Sequence, residues 1–198
     1  MQDLVSQARK EGMISAGIDL FLAAVPATLV ALDIAKGDML GLISTNKTAT
    51  YITGGIVFTI FCVSVFFRLR ALRKISKLSG IKAAALYRNC IIVCICVIAI
   101  ASIFLSTPLS ISYKHLAMIL CILIAFAGAI YMIVAWFCIN FALARVSGVG
   151  TFETYVWLCV ILFPLNALYH LIFPITLTIT SIVHLLAWSK IENISVKV

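Results

Sequence analysis

A chain of 198 residues that is 64% hydrophobic and only 11% charged, with a mean hydropathy of +1.18, lacks the charge to cover a soluble domain, which needs about twice as much. The formal net charge of +8 comes almost wholly from one short stretch and so does not describe a nucleic-acid-binding face. The composition specifies one transmembrane domain over residues 1–198, an all-α polytopic helix bundle. A membrane β-barrel would alternate in polarity over segments of about ten residues, whereas the apolar runs here are continuous and about twenty long.

Residues Met1 to Gly12 are polar and mixed in charge. Asp3 and Glu11 fall where a signal peptide would be basic, and Asp19 interrupts its would-be apolar core, so the N-terminus is expected to be retained and cytoplasmic. The first span is expected over 13–32; it contains Asp19 and Pro26 and stops at Asp33. The connection 34–50 carries Lys36, Asp38 and Lys47 and is assigned to the outside. The second span, 51–67, is rich in β-branched and aromatic residues that favour strands in water. In lipid, only a helix satisfies its own backbone groups. Gly54 and Gly55 suit a close helix approach.

A basic loop over 68–85 follows, with Arg68, Arg70, Arg73, Lys74, Lys77 and Lys82, then Arg88 just beyond, and no Asp or Glu among them. A short Lys/Arg-rich connection between apolar segments stays cytoplasmic, which fixes the sidedness of the rest. Such a loop suits anionic lipid headgroups or an acidic partner. Leu69, Leu72, Ile75 and Leu78 recur every three residues, as in an amphipathic helix lying on a lipid surface.

The third span, 86–107, ends before Pro108, and a short outer loop leads through His115 into the fourth span, 116–143. That span is roughly 42 Å long against a ~30 Å hydrocarbon core, so it tilts or protrudes. Ala125, Gly128 and Ala129 form a small-residue patch for helix packing, and Asn140, one turn after Trp136, reads as a hydrogen bond to another helix. In the inner loop 145–154, Thr151 is placed as an N-cap with Glu153 in the first turn after it. The stretch 155–186 holds Pro164 and Pro174. It is too long for one straight span and too short for two, at about 48 Å in all. One kinked span with an interfacial end is preferred, giving five spans and an outside C-terminus. A re-entrant or tight hairpin, which would make six, is the alternative. Trp157, Trp188, Tyr51, Tyr87, Tyr113 and Tyr155 read as an aromatic belt at the interfaces.

Ionisable groups at membrane depth mark candidate sites. Asp19 and Asp33 are fourteen residues apart, as are His170 and His184, and Asn166 precedes His170 by four. Fourteen residues return nearly to the same helix face. Packing of the first span on the last would then unite Asp19, Asp33, Asn166, His170 and His184 in a polar seam able to exchange a proton. All seven cysteines lie in apolar runs and read as packing residues; Cys90 has palmitoylation in a eukaryotic host as a second reading. No nucleophile elbow, zinc motif, phosphate loop or dinucleotide fingerprint occurs, so no catalytic residue, metal or cofactor is assigned and the chain is not read as an enzyme. Two glycosylation sequons start at Asn46 and Asn193.

The expected function is that of an integral membrane binding or accessory protein. It would act by helix contacts with a membrane-protein partner or a second copy, as a complex subunit or an immunity- or exclusion-type protein. The alternative is a small transporter or channel subunit moving a proton, cation or small solute along the seam. A bacterial cytoplasmic membrane is favoured over a eukaryotic endomembrane.

Overall fold

The computed structural model describes residues 2–36, 47–106, 111–168 and 173–195, with the side chains at 26–36, 47–54, 105, 111–114 and 165–168 outside the description. Among the described residues there are six helices and no strand: α1 (Gln2–Lys36), α2 (Lys47–Ser79), α3 (Ala83–Ser106), α4 (Ile111–Ser147), α5 (Thr151–Leu168) and α6 (Phe173–Ser189). Three of them are long and apolar enough to cross a membrane, over Gly55–Ser79, Ala83–Phe104 and His115–Ser147. Two shorter apolar helices follow, Thr151–Pro164 and Phe173–Ser189. Helices adjacent in the chain pack on one another, and α1 packs on α6, so the contacts close a cycle.

The core lies at one end of this cycle. It joins the start of α1 (Val5, Ala8, Ala16), the end of α2 (Ala71, Leu72, Ile75), the end of α4 (Ile139, Leu143, Ala144), the start of α5 (Phe152) and the end of α6 (Ala187, Trp188). We call it the packed end. Two connections lie here and are built alike: α2 stops at Ser79-Gly80 and α4 at Ser147-Gly148, with both glycines at positive φ, 72° and 67°. Left-handed backbone after a helix favours glycine because it has no Cβ to collide with the chain. In each, the serine Oγ donates to the carbonyl one turn back, Ser79 to Ile75 at 2.8 Å and Ser147 to Leu143 at 2.6 Å. Ser76 Oγ accepts from Ala84 N at 3.1 Å and so caps the next helix.

The basic stretch differs from its expected form. Positions 68–79 are the last turns of α2, and the non-helical connection is only Gly80 to Lys82. The helical periodicity is as the sequence implies, but Leu72 and Ile75 are buried in the core against the other helices rather than laid on lipid. The helix continues because nothing between Phe67 and Ser79 breaks it, and α1 supplies carboxylates that the sequence of α2 lacks.

The stretch 155–186 is a pair of helices rather than one kinked span. Phe152 and Tyr155 near the start of α5 meet Trp188 and His184 near the end of α6, so the two run antiparallel. Each helix draws on flanking residues: α5 begins at Thr151 and runs through Pro164, and α6 extends to Ser189, and both apolar segments remain shorter than the three long ones. Pro174 sits in the first turn of α6, where its missing N–H has no helical partner to lose. The chain after α6 returns to the packed end, where Ser195 N donates to Val146 O at 2.8 Å. Trp188, expected in an interfacial belt, is instead among the largest fully buried side chains, whereas Trp157 is exposed.

Candidate functional site

The face that α1 turns to α2 is polar at every fourth residue: Gln7, Glu11, Ser15 and Asp19. Residues four apart lie one above another on a helix. Running the opposite way, α2 presents Lys74, Arg70, Arg68 and Ser64. Gln7 Oε1 accepts from Lys74 Nζ at 3.0 Å. Glu11 Oε1 receives both Arg70 Nε at 3.0 Å and Lys74 Nζ at 2.9 Å, while its Oε2 is enclosed without a hydrogen-bond partner among the described residues.

Deeper in, four side chains form a closed ring. Arg68 pairs with Asp19 through Nη2 and Oδ2 and donates from Nε to Ser15 Oγ at 3.2 Å. Ser64 Oγ donates to Asp19 Oδ1 at 2.6 Å. Ser64 Oγ also lies 3.2 Å from the Ser15 carbonyl, a second acceptor for its one proton, and 3.0 Å from Ser15 Oγ, where either hydroxyl can donate. Both Asp19 oxygens have a partner and the contacts close into a ring, an arrangement in which each bond polarises the next. Carrying a lone carboxylate or guanidinium to this depth would be costly, and each group here supplies the other's counter-charge.

Arg68 also borders a cavity of about 210 Å³ inside the cycle. Its polar wall consists of Arg68, Tyr87, Asn140 and His184, and the rest is apolar, with Trp136 and Trp188 the largest members. His184 is fixed on three sides: Trp188 Nε1 donates to its Nε2 at 3.0 Å, Tyr155 stacks on it at 4.5 Å and Phe152 meets it edge-on. An Nε2 that accepts leaves the imidazole proton on Nδ1. Asn140 Nδ2 donates to the carbonyl of Trp136 in its own helix at 2.9 Å, which replaces the expected bond to another helix.

Of the expected seam, α1 and α6 do pack together. Asp19 and His184 come to the same neighbour, Arg68: Asp19 as its ion-pair partner, His184 across the cavity wall. The backbone positions of Asp33 and Asn166 lie in α1 and α5, but their side chains are outside the described residues, as is the whole of His170. Among the basic residues, Arg68 points into the bundle, whereas Arg70, Arg73 and Lys77 are exposed beside half-buried Lys74 on one stripe of α2. Lys82 lies in the turn and Arg88 on the second turn of α3, both exposed. The sequence reading missed Gln7, Glu11, Ser15 and Ser64. The four-residue repeat at the start of α1 is the available signal, because the helix begins at Gln2 and not after Gly12.

Comparison with family models, with curated proteins and with solved structures finds no match to this chain.

Proposed function

We propose that this chain is an integral, multi-pass membrane protein with its packed end in the cytosol. It acts as a binding or accessory protein through helix contacts with a partner in the bilayer, either another membrane protein or a second copy. The carrying observation is a division between helix faces. Asp19 and Arg68 are engaged with each other and with two serines. Meanwhile α3 and α4 turn Ile92, Ile95, Ile98, Phe126, Ile133 and Val134 outward, each half exposed or more. Such a face is stable only against lipid or another apolar surface. The orientation rests on the cations: Arg9, Lys10, Arg145 and Lys190 join the basic turns of α2 and α3 at the packed end, and both described chain ends lie there too. The exposed cations of α2 and α3 then sit among anionic lipid headgroups.

A small transporter or channel subunit is the second reading, favoured by the cavity beside Arg68 and His184. Two measurements separate the possibilities. In a glycosylating host the full chain is expected to be modified at Asn46 and not at Asn193; sugar on Asn193 would reverse the orientation. In liposomes the purified chain is expected to pass no more protons or cations than empty vesicles do. Flux abolished by Asp19→Asn would replace the accessory reading with the transporter.

A further inference from the structure

We propose that the face of α2 formed by Arg70, Arg73, Lys74 and Lys77 binds a membrane lipid whose headgroup carries a phosphomonoester. The proposal rests on the reading above, that the packed end lies at the cytosolic surface of a bilayer. It adds a ligand class to a face so far described only as basic.

The four residues stand at i, i+3, i+4 and i+7, a single stripe of the helix. Ala71, Leu72 and Ile75 on the other side are buried in the core, so the helix cannot turn its cations away. The four line an open groove of about 230 Å³ to which no other described residue contributes. Glu11, outside that lining, braces two of the four. Its Oε1 holds Arg70 Nε and Lys74 Nζ at 3.0 and 2.9 Å, which pre-orders two of the four side chains before any ligand arrives. Arg70 is further steadied over the Phe66 ring, 5.6 Å from its centroid. Arg73 and Lys77 make no ion pair with any described residue and are exposed.

Charge selects the ligand. One Glu11 carboxylate against four cations leaves three positive charges around a single hollow. A phosphodiester headgroup brings one negative charge to that point. A phosphomonoester brings about 1.5 to 2, with three acceptor oxygens, to guanidinium groups whose forked donors match them. Position agrees: these residues fall about 5 to 15 Å beyond Phe67, where the apolar run of α2 ends, from the headgroup layer into its aqueous margin.

The test uses the full chain in nanodiscs of phosphatidylcholine doped with phosphatidate or, at equal total charge, with phosphatidylglycerol or cardiolipin. After mild solubilisation, the retained lipid is identified by mass. Phosphatidate is expected to be enriched over both diesters. Arg73→Ala and Lys77→Ala, which remove no core contact, should each lower retention about fivefold. Lys190→Ala, exposed at the same end, should change it little. Equal retention of phosphatidylglycerol or cardiolipin, or a loss with Lys190→Ala as large as with Arg73→Ala, would mean diffuse attraction and overturn the proposal. Competition by free glycerol 3-phosphate as strong as by phosphatidate would assign the hollow to a soluble phosphate and overturn the lipid source. A chain absent from the bilayer fraction overturns the membrane reading and this proposal with it, whereas an inserted chain without selectivity overturns the proposal alone.

Discussion

α1 and α4 are both long helices with a buried glycine at a helix contact, and the bundle uses them in opposite ways. The first half of α1 buries one face, with Ala8 and Ala16 fully buried, and meets α2 through charge and α6 through Gly12 under the Trp188 ring. Most of α4 stays open, with Met118, Ile122, Leu123 and Phe126 all more than half exposed, and Gly128 meets α3 beside Val93 and Val97. Directional bonds fix the register of α1, because shifting it by one residue would separate Asp19 and Glu11 from their cations. At Gly128 the packing of α4 on α3 is by the shapes of apolar side chains.

The largest expected effect comes from closing the gap at Gly12. A Cβ there would stand 1.9 to 2.4 Å from three carbons of the Trp188 indole, and that ring is held by His184, Phe152 and the core around it. Gly12→Ala must push α1 off α6, at a loss of about 3 kcal/mol or more, read as a fall in the melting temperature of the purified chain in detergent. Gly12→Ala melting with the wild type would mean that α1 and α6 are not in this contact.

Next comes the ion pair. Asp19→Ala or Arg68→Ala leaves a charge at depth without its partner, while the double variant leaves neither. With about a fifth to a quarter of each side chain exposed, each single change is expected to destabilise by about 2 kcal/mol, below the full loss for an enclosed pair. The double variant should be milder than the sum. Additive losses in that cycle would show that the two groups do not interact and that the ring does not close through them.

These two contacts also mark how far the sequence could be read. Helical class, long apolar helices, the basic stretch and the close approach at Gly128 follow from composition and period, because each is a local property of one segment. The pairing of Asp19 with Arg68 is not local: it needs the register of α1 against α2, and both residues were visible while their meeting was not. Trp188 illustrates the same limit. A Trp at the end of an apolar run has the composition of an interfacial anchor, and only Gly12, 176 positions earlier, makes room for it in the core. The hairpin of α5 and α6 is hard to read from 155–186 because its apolar residues alone leave out Thr151 to Thr154 and Ala187 to Ser189, which lengthen the two helices.

The smallest effect is expected at the matching glycine of α4, and its smallness is the informative part. A Cβ on Gly128 would lie 3.1 Å from Val97 Cγ2 and 3.4 Å from Val93 Cγ1, a few tenths of an ångström too close to one methyl group. Replacing a mid-helix glycine by alanine gains about 0.5 to 1 kcal/mol from the restricted unfolded chain. The crowding opposes that gain, and α3 has room to yield because its outer face carries only exposed side chains such as Ile95 and Ile98. Gly128→Ala should therefore change stability by no more than about 0.5 kcal/mol, while the same substitution at Gly12 is severe. A Gly128→Ala loss as large as that at Gly12 would mean that α3 and α4 are clamped as rigidly as α1. The open apolar face of α4 would then belong to a helix held in place, not to one free to adjust its packing.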